Sequence, residues 1–397
     1  MKASKTERPD LFAGAAGSFG TLGVVTLLEL QLVKSSFWVE LTYHPATSTS
    51  QALDLIKDKS TDEAVDYLDG IIYSKTNGVI VTGRRHNEKS IGNKKLVRYT
   101  RADDPWFYLH AQDILKKSPN PSKPYKDVTV LNDYLFRYDR GAFWTGRYAY
   151  KYFLVPFNKI TRLILDYFMH TRLMYHALHK SGQSDLYIIQ DLAIPFNRTE
   201  EFIEWLDKEF CLHPLWLCPL KIDNSRRSAF QPSVDNGDMM INIGVWGPGP
   251  RSRPAFVAKN RLLEAKVREL GGMKWLYAHA YYTEAEFWSV YDREGYDKLR
   301  VKYYADRLPN VYDKVHTPIE DKRSFRWKVM MAIWPLSGIY GVLMALAGGG
   351  YLVRGKDSGR GYILVVAAIG LIIGYSWIYA GYWLWSTAGS EVPRQER

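Results

Sequence analysis

Two sets of residues in this chain of 397 residues have types and spacing that could do chemistry. The first is Asp10 to Thr26, DLFAGAAGSFGTLGVVT, which places Gly14, Gly17, Gly20 and Gly23 three apart. Glycines so spaced let backbone N–H groups approach a ligand without Cβ obstruction, which is one way to hold a phosphate or the polar edge of a cofactor. The pattern is G-x-x-G-x-x-G and Val24 to Val33 (VVTLLELQLV) alternates like a strand, so it is not a dinucleotide fingerprint; without Gly-Lys-Ser/Thr it is not a Walker loop either. Taken alone, it also describes a glycine-rich turn entering a strand. The second set is Tyr277, His279 and Tyr281, titratable side chains two apart, which a strand turns to one face. That face lines a pocket or packs on the sheet's own helices. His170, His176 and His179 lack a cysteine or carboxylate set, so no metal is expected.

The elements that must position these residues are legible from periodicity. Phe37 to Tyr43 alternates with period two and is stopped by His44-Pro45, and Tyr67 to Tyr73 and Val79 to Thr82 flank Asn77-Gly78 as a hairpin. From Leu186 to Tyr282 the order is strand 186–194, a helix starting near Asn197 with a capping box to Glu200, strands 214–220 and 239–245, helix 258–270 and strand 274–282. Phe202, Ile203, Leu206 and Phe210 form the buried stripe of the first helix, and Leu262, Leu263 and Val267 that of the second. The result is β-α-β-β-α-β, a ferredoxin-like split unit in an α+β fold. Thr283 and Glu286 open another helix with a capping box.

Beyond Lys328 the chain is apolar. Val329 to Val353 and Tyr362 to Trp385 carry no charge, and at 1.5 Å per residue each is long enough to cross a hydrocarbon layer of roughly 30 Å. They are expected to form a two-helix transmembrane hairpin over 329–385, packed through small residues such as Gly338, Gly341, Ala345 and Gly370. The net charge of +11 is spread through the chain without an RNA-binding motif; nucleic acid is not expected, and an anionic lipid surface is. Cys211 and Cys218 cannot build a disulfide framework and read as reduced residues of a cytosol-facing protein.

After the glycine segment come, in order, LTYHP at Leu41 to Pro45, DGIIYSKTNGVIVTGR at Asp69 to Arg84, PWFYLHAQDILKK at Pro105 to Lys117 and RYDRGAFW at Arg137 to Trp144. IIQDLAIP at Ile188 to Pro195, HPLWLCPL at His213 to Leu220, EFWSVYD at Glu286 to Asp292, YDKLR at Tyr296 to Arg300 and NVYDKV at Asn310 to Val315 follow. Read in this order, these segments resemble the Δ24-sterol reductase family of flavoproteins.

The resemblance implies FAD-dependent, NADPH-consuming reduction of the C24 side-chain double bond of a sterol, at the endoplasmic reticulum membrane with the body toward the cytosol. It makes residues 1–35 the C-terminal remnant of a vanillyl-alcohol-oxidase-type flavin domain, most of which is missing, and residues 36–320 the cap. Gly17, Ser18, Gly20, Thr21 and Gly23 are then the cofactor contacts, and Tyr281 or His279 the proton donor. Arg140 would stabilise reduced flavin or make a structural ion pair. Gly141 and Thr145 stand where the family has serine and glutamate, which leaves a membrane-tethered, non-catalytic cap that binds sterol or a partner as the alternative.

Overall fold

A computed structural model describes residues 1–87, 95–117, 123–222, 228–231, 239–320 and 323–349. They divide into two compact units. One comprises the chain up to Val97, Ala111–Leu131 and residues 185–320; the other comprises Arg98–His110, Asn132–Ser184 and the described residues from Arg323 on.

The first unit is built on eight strands: β1 Trp38–Ala46, β2 Tyr67–Ser74, β3 Asn77–His86, β4 Tyr125–Val130, β5 Tyr187–Pro195, β6 Leu215–Lys221, β7 Met239–Pro248 and β8 Met273–Lys274. They form one sheet in the order β4-β1-β3-β2-β6-β7-β5-β8, with every neighbouring pair antiparallel. The α+β class expected from the sequence is the observed one, but the strand-helix-strand-strand-helix-strand order occurs twice. β1 to β4 are arranged 4-1-3-2 and β5 to β8 are arranged 2-3-1-4, joined where β2 meets β6.

One face of the sheet is covered by helices. Ala52, Leu53 and Ile56 of the helix Thr49–Ser60, Phe202, Ile203 and Leu206 of Thr199–Phe210, and Phe256, Val257, Leu263 and Val267 of Arg253–Glu269 pack on Ile72, Ile80, Leu192, Ile194, Leu217 and Ile243. Each such side chain contributes about 1.5–3 kcal/mol on burial. Leu262, expected inward, is exposed, because Arg253–Glu269 starts earlier than its periodicity indicated, with a proline in its first turn, and turns Phe256 and Val257 to the sheet instead. Arg198, not Asn197, is the N-cap of Thr199–Phe210, and no side chain caps it. The capping box of Thr283 with Glu286 is present.

Three strand expectations need correction. β1 runs through Pro45 to Ala46; β4 pairs with it only as far as Tyr43, so the proline lies where β1 has a neighbour on one side. The β2–β3 turn falls at Lys75-Thr76, and Asn77-Gly78 opens β3, where a Cβ on Gly78 would press on the Ile72 side chain. The strand expected over 274–282 is cut to Met273–Lys274. Beyond it the backbone is claimed by side chains and by another segment: the Tyr281 N–H donates to Glu264 Oε1 at 2.8 Å, and the Ala280 N–H donates to the Thr317 hydroxyl at 3.1 Å while its carbonyl accepts from the Thr317 N–H at 2.8 Å.

The second unit is helical. Leu336–Gly349 packs against Thr171–Lys180, with Gly341 set against the Ala177 carbonyl and Ser181, and Gly338 against Tyr152 and Phe153. The first span of the expected hairpin is therefore interrupted. A helix ends at Ala332 and a new one starts at Leu336, because Pro335 offers no N–H and its ring crowds the preceding turn. The 14 residues of Leu336–Gly349 extend about 21 Å. Among the described residues no helix is long and apolar enough to cross a membrane. Tyr362 to Trp385 lies outside the described residues.

Candidate functional site

On the opposite sheet face, where Ala193 and Met240 join a second core with Phe287 of the helix Glu284–Val290 and Tyr296 of Arg293–Lys302, β5 and β7 carry a polar cluster. Asp191 of β5 opposes Gly244 of β7, and Ala193 opposes Asn242. Asp191 Oδ1 accepts from Asn242 Nδ2 at 3.1 Å, its Oδ2 accepts from the Tyr277 hydroxyl, and the Trp246 indole adds a further hydrogen bond. Trp275 closes the ring, its Nε1 donating to Asn242 Oδ1 at 2.6 Å and its N–H to the Asp191 carbonyl at 3.0 Å. Asp191 is only 8% exposed, and burial raises its carboxyl above the usual carboxylate range against the pull of these donors. Tyr277 is half exposed. The pair is thus a buried acid bonded to the hydroxyl of a half-exposed tyrosine.

Beside it lies an aromatic wall. Trp216 of β6 and Trp246 of β7 are stacked, with ring centroids 6.0 Å apart at 27°, and Trp216 Nε1 donates to Asp69 Oδ2 of β2 at 3.0 Å. Gly244 makes room for the arrangement, since a Cβ there would fall 2.5 Å from the Trp246 ring. Trp246 is buried and Trp216 partly exposed, so the stacked pair sets an apolar side chain next to an acid whose proton affinity burial raises, which suits an uncharged ligand receiving a proton.

Tyr277, His279 and Tyr281 do not share a face. Tyr277 turns to Asp191, whereas Tyr281 is buried in the helix-side core, its ring stacked on His279 at 6.0 Å. Among the described residues the Tyr281 hydroxyl has no hydrogen-bond partner, and burial pushes it up to about 12. His279 Nε2 lies 3.4 Å from Asp185, and the His279 carbonyl accepts from Gln190 Nε2 at 3.0 Å and from Lys274.

Arg140, in the second unit, is fully engaged. Its Nε donates to Asp166 at 2.7 Å, and its terminal nitrogens donate to the carbonyls of Tyr99, Asp104 and Ala102 at 3.4, 2.8 and 2.8 Å. Arg137 lies over the rings of Tyr134 and Tyr138 at 4.0 and 4.5 Å. Gly141 has φ +80°, and a Cβ there would enter the Trp106 ring, so the glycine in RYDRGAFW is demanded by its surroundings. His170 bridges Asp139 at 2.6 Å and Asp166 at 3.6 Å, and these carboxylates push it up to about 9.

The glycine segment begins in the helix Pro9–Ala15, which buries Gly14, and continues as turns with positive φ at Gly17, Gly20 and Gly23. A Cβ on Gly17 would lie 3.0 Å from Phe230, so that face is filled. Ser18 Oγ donates to the Ala15 carbonyl, and Thr21 Oγ1 donates to the Ser18 carbonyl and accepts from the Tyr296 hydroxyl at 2.6 Å. Gly20 and Gly23 stay open: nothing lies within 4 Å of a Cβ at Gly23, and Lys314 Nζ is 3.9 Å from one at Gly20. Gly20 and Gly23 thus leave room for a group to approach the backbone, with the Gly23 carbonyl 3.7 Å from a Cβ at Gly20, while Gly17, Ser18 and Thr21 are spent on the turn. Val24 to Val33 forms no strand, and Val24, Leu27, Leu28, Leu30 and Leu32 are exposed, because no strand among the described residues pairs with them.

The motifs IIQDLAIP and HPLWLCPL contain Asp191 and Trp216, to which the sequence assigned no role, and Asn242 and Trp246 were not singled out. The signal was there, since an aspartate in the middle of an apolar strand must be paired or protonated.

No protein-family model matches the chain. Among curated proteins it is 28% identical over 334 residues to the Delta(24)-sterol reductase of Macaca fascicularis and 27% identical over 336 residues to that of Homo sapiens; each match covers 79% of this chain and 60% of the relative. It is 28% identical over 335 residues to the Delta(24)-sterol reductase of Arabidopsis thaliana, covering 75% of this chain and 57% of that protein. The chain is thus a relative of the Delta(24)-sterol reductases of animals and plants, as its ordered motifs indicated, and it spans about 60% of their length.

Proposed function

We propose that this chain is the substrate-binding part of an oxidoreductase that saturates the C24 side-chain double bond of a sterol with FAD as cofactor and NADPH as reductant. On this reading residues 1–35 are the edge of a flavin domain, residues 36–320 are a cap made of two ferredoxin-like halves, and the enzyme works at the endoplasmic reticulum membrane with its body toward the cytosol. Saturating a carbon–carbon double bond takes a hydride at one carbon and a proton at the other, and a bound flavin supplies the hydride. Gly20 and Gly23 would hold one polar edge of that cofactor, with the Lys314 ammonium nearby.

The chain's own residues account for the proton. Trp216 and Trp246 hold apolar substrate and exclude water, the Tyr277 hydroxyl carries the proton outward, and Asp191 returns one to the phenolate. Tyr281 and His279 remain alternative donors, but Tyr281 would need to leave the core to reach substrate. The observation that carries the reading is the hydrogen bond between the accessible Tyr277 and the buried Asp191 beside the stacked indoles.

The test is to mix the purified chain with the flavin-binding half of a longer relative, FAD, NADPH and a side-chain-unsaturated sterol, and to follow the saturated product by mass spectrometry. Turnover in the mixture, and none from either component alone, is the expected result. Sterol binding without turnover favours the non-catalytic cap, and neither binding nor turnover overturns both. By itself the chain should bind FAD weakly, so stoichiometric flavin absorbance in the purified protein would contradict this division of the cofactor site.

A further inference from the structure

The short helix Lys159–Ile164 is amphipathic in the wrong sense for a soluble protein. Ile160, Leu163 and Ile164 lie at i, i+3 and i+4, the spacing of a single helical face, and Tyr167 follows in the 3-10 helix Asp166–Met169. These four residues are between 48% and 69% exposed, while the helix Lys159–Ile164 buries none of its own residues. The segment is fixed from its other side. Arg162 lies over the rings of Phe157 and Trp106 at 5.0 and 5.8 Å, Asn158 caps the helix through Ile160 and Thr161, and Phe168 and Met169 are buried immediately after it. The apolar stripe is therefore held in water by a built scaffold.

The charge of the stretch that contains it is one-sided. Asn132 to Ser184 contains eight lysines and arginines against three aspartates. All three acids are used internally: Asp133 by Arg98 and Thr100, Asp139 by His170, and Asp166 by Arg140 and His170. Lys151, Lys159 and Arg172 are exposed and have no acidic partner among the described residues. Exposed apolar residues on a segment that carries uncompensated cations, with Lys159 directly before Ile160, match an interface with an anionic lipid bilayer, where apolar side chains enter the headgroup boundary and cations meet lipid phosphates and carboxylates.

We infer that Ile160, Leu163, Ile164 and Tyr167 form a docking surface for an anionic bilayer, seating this unit on the membrane without crossing it. The surface does not depend on the proposed substrate.

The test uses the full chain with Cys211→Ser and Cys218→Ser, carrying Ile164→Cys labelled with an environment-sensitive fluorophore, and vesicles of phosphatidylcholine alone or mixed with phosphatidylserine at roughly three to one. A blue shift is expected with the mixed vesicles, weakened by salt. Ile160→Glu with Leu163→Glu should weaken binding about tenfold with an unchanged far-ultraviolet circular dichroism spectrum. A chain that floats with the vesicles while the label stays in water overturns the assignment, because another segment is then the anchor. A shift that grows with protein concentration in the absence of vesicles also overturns it, in favour of a second copy on this face. Should the labelled background fail to fold, flotation of Lys159→Glu with Arg172→Glu decides: loss of the phosphatidylserine preference supports the surface, and an unchanged preference refutes it.

Discussion

Glu264→Gln should destabilise the first unit more than any other single polar change in it. Glu264 and Lys274 are 2% and 1% exposed and lie 3.0 Å apart, and burial holds the lysine's ammonium below its usual range. Removing one partner of such a pair leaves an uncompensated buried charge at a cost of about 3–5 kcal/mol. Lys274 can escape part of this by shedding its proton. The sign follows: with the folded-state lysine lowered and the unfolded one at 10.5, the unfolded chain binds more protons between those values, so the variant regains stability as pH rises through that window.

Replacing both partners, Glu264→Leu with Lys274→Met, removes the charge problem. It still strands the Tyr281 N–H and leaves the His279 carbonyl with one donor fewer, for which about 1–3 kcal/mol is expected. Urea unfolding followed by circular dichroism gives the totals, and hydrogen exchange of the peptide containing Tyr281 localises them. A single-variant loss below about 1 kcal/mol, or a double variant worse than the single, would refute the reasoning.

Two further predictions concern the second unit. His170, pushed up to about 9 by Asp139 and Asp166 from 6.5, contributes stability that is fully present below pH 6.5 and lost as pH rises through 9; thermal melts of the wild type and His170→Gln should converge at the alkaline end, and parallel curves would contradict this. Gly141→Ala places a Cβ at φ +80° against Trp106, so a loss of at least about 1–2 kcal/mol is expected in thermal denaturation, and an unchanged melting temperature would show that the turn relaxes freely.

The sheet was legible where side-chain period and burial agreed. Phe202, Ile203 and Leu206 recur at helical spacing and are buried, and the strand-helix order from β5 to β8 could be read from pattern alone. In the matching half β1, β2 and β3 were read as strands, but the helices Thr49–Ser60 and Phe107–Lys117 and strand β4 were not, and the strand bounds slipped because Pro45 sits inside β1 and Asn77-Gly78 imitates a turn while opening β3. Period two misled at Tyr277, His279 and Tyr281, where Glu264, Lys274 and Thr317 capture the backbone and send the first and last rings to opposite sides of the sheet. Uncharged length misled at Val329, since one proline outweighs hydropathy in a helix. The site residues Asp191 and Asn242 become diagonal neighbours only through strand register, which no local pattern reveals.

The most direct measurement of the central claim is the single-turnover rate of sterol reduction in the reconstituted mixture for Tyr277→Phe, Asp191→Asn and Tyr281→Phe, each with the sterol dissociation constant measured separately. Tyr277→Phe should lose about 10²–10⁴-fold in rate with little change in sterol binding. Asp191→Asn should flatten the pH dependence of the same step, and Tyr281→Phe should turn over normally. Full turnover by Tyr277→Phe, or a rate loss confined to Tyr281→Phe, would contradict the assignment of the proton path to Tyr277 and Asp191.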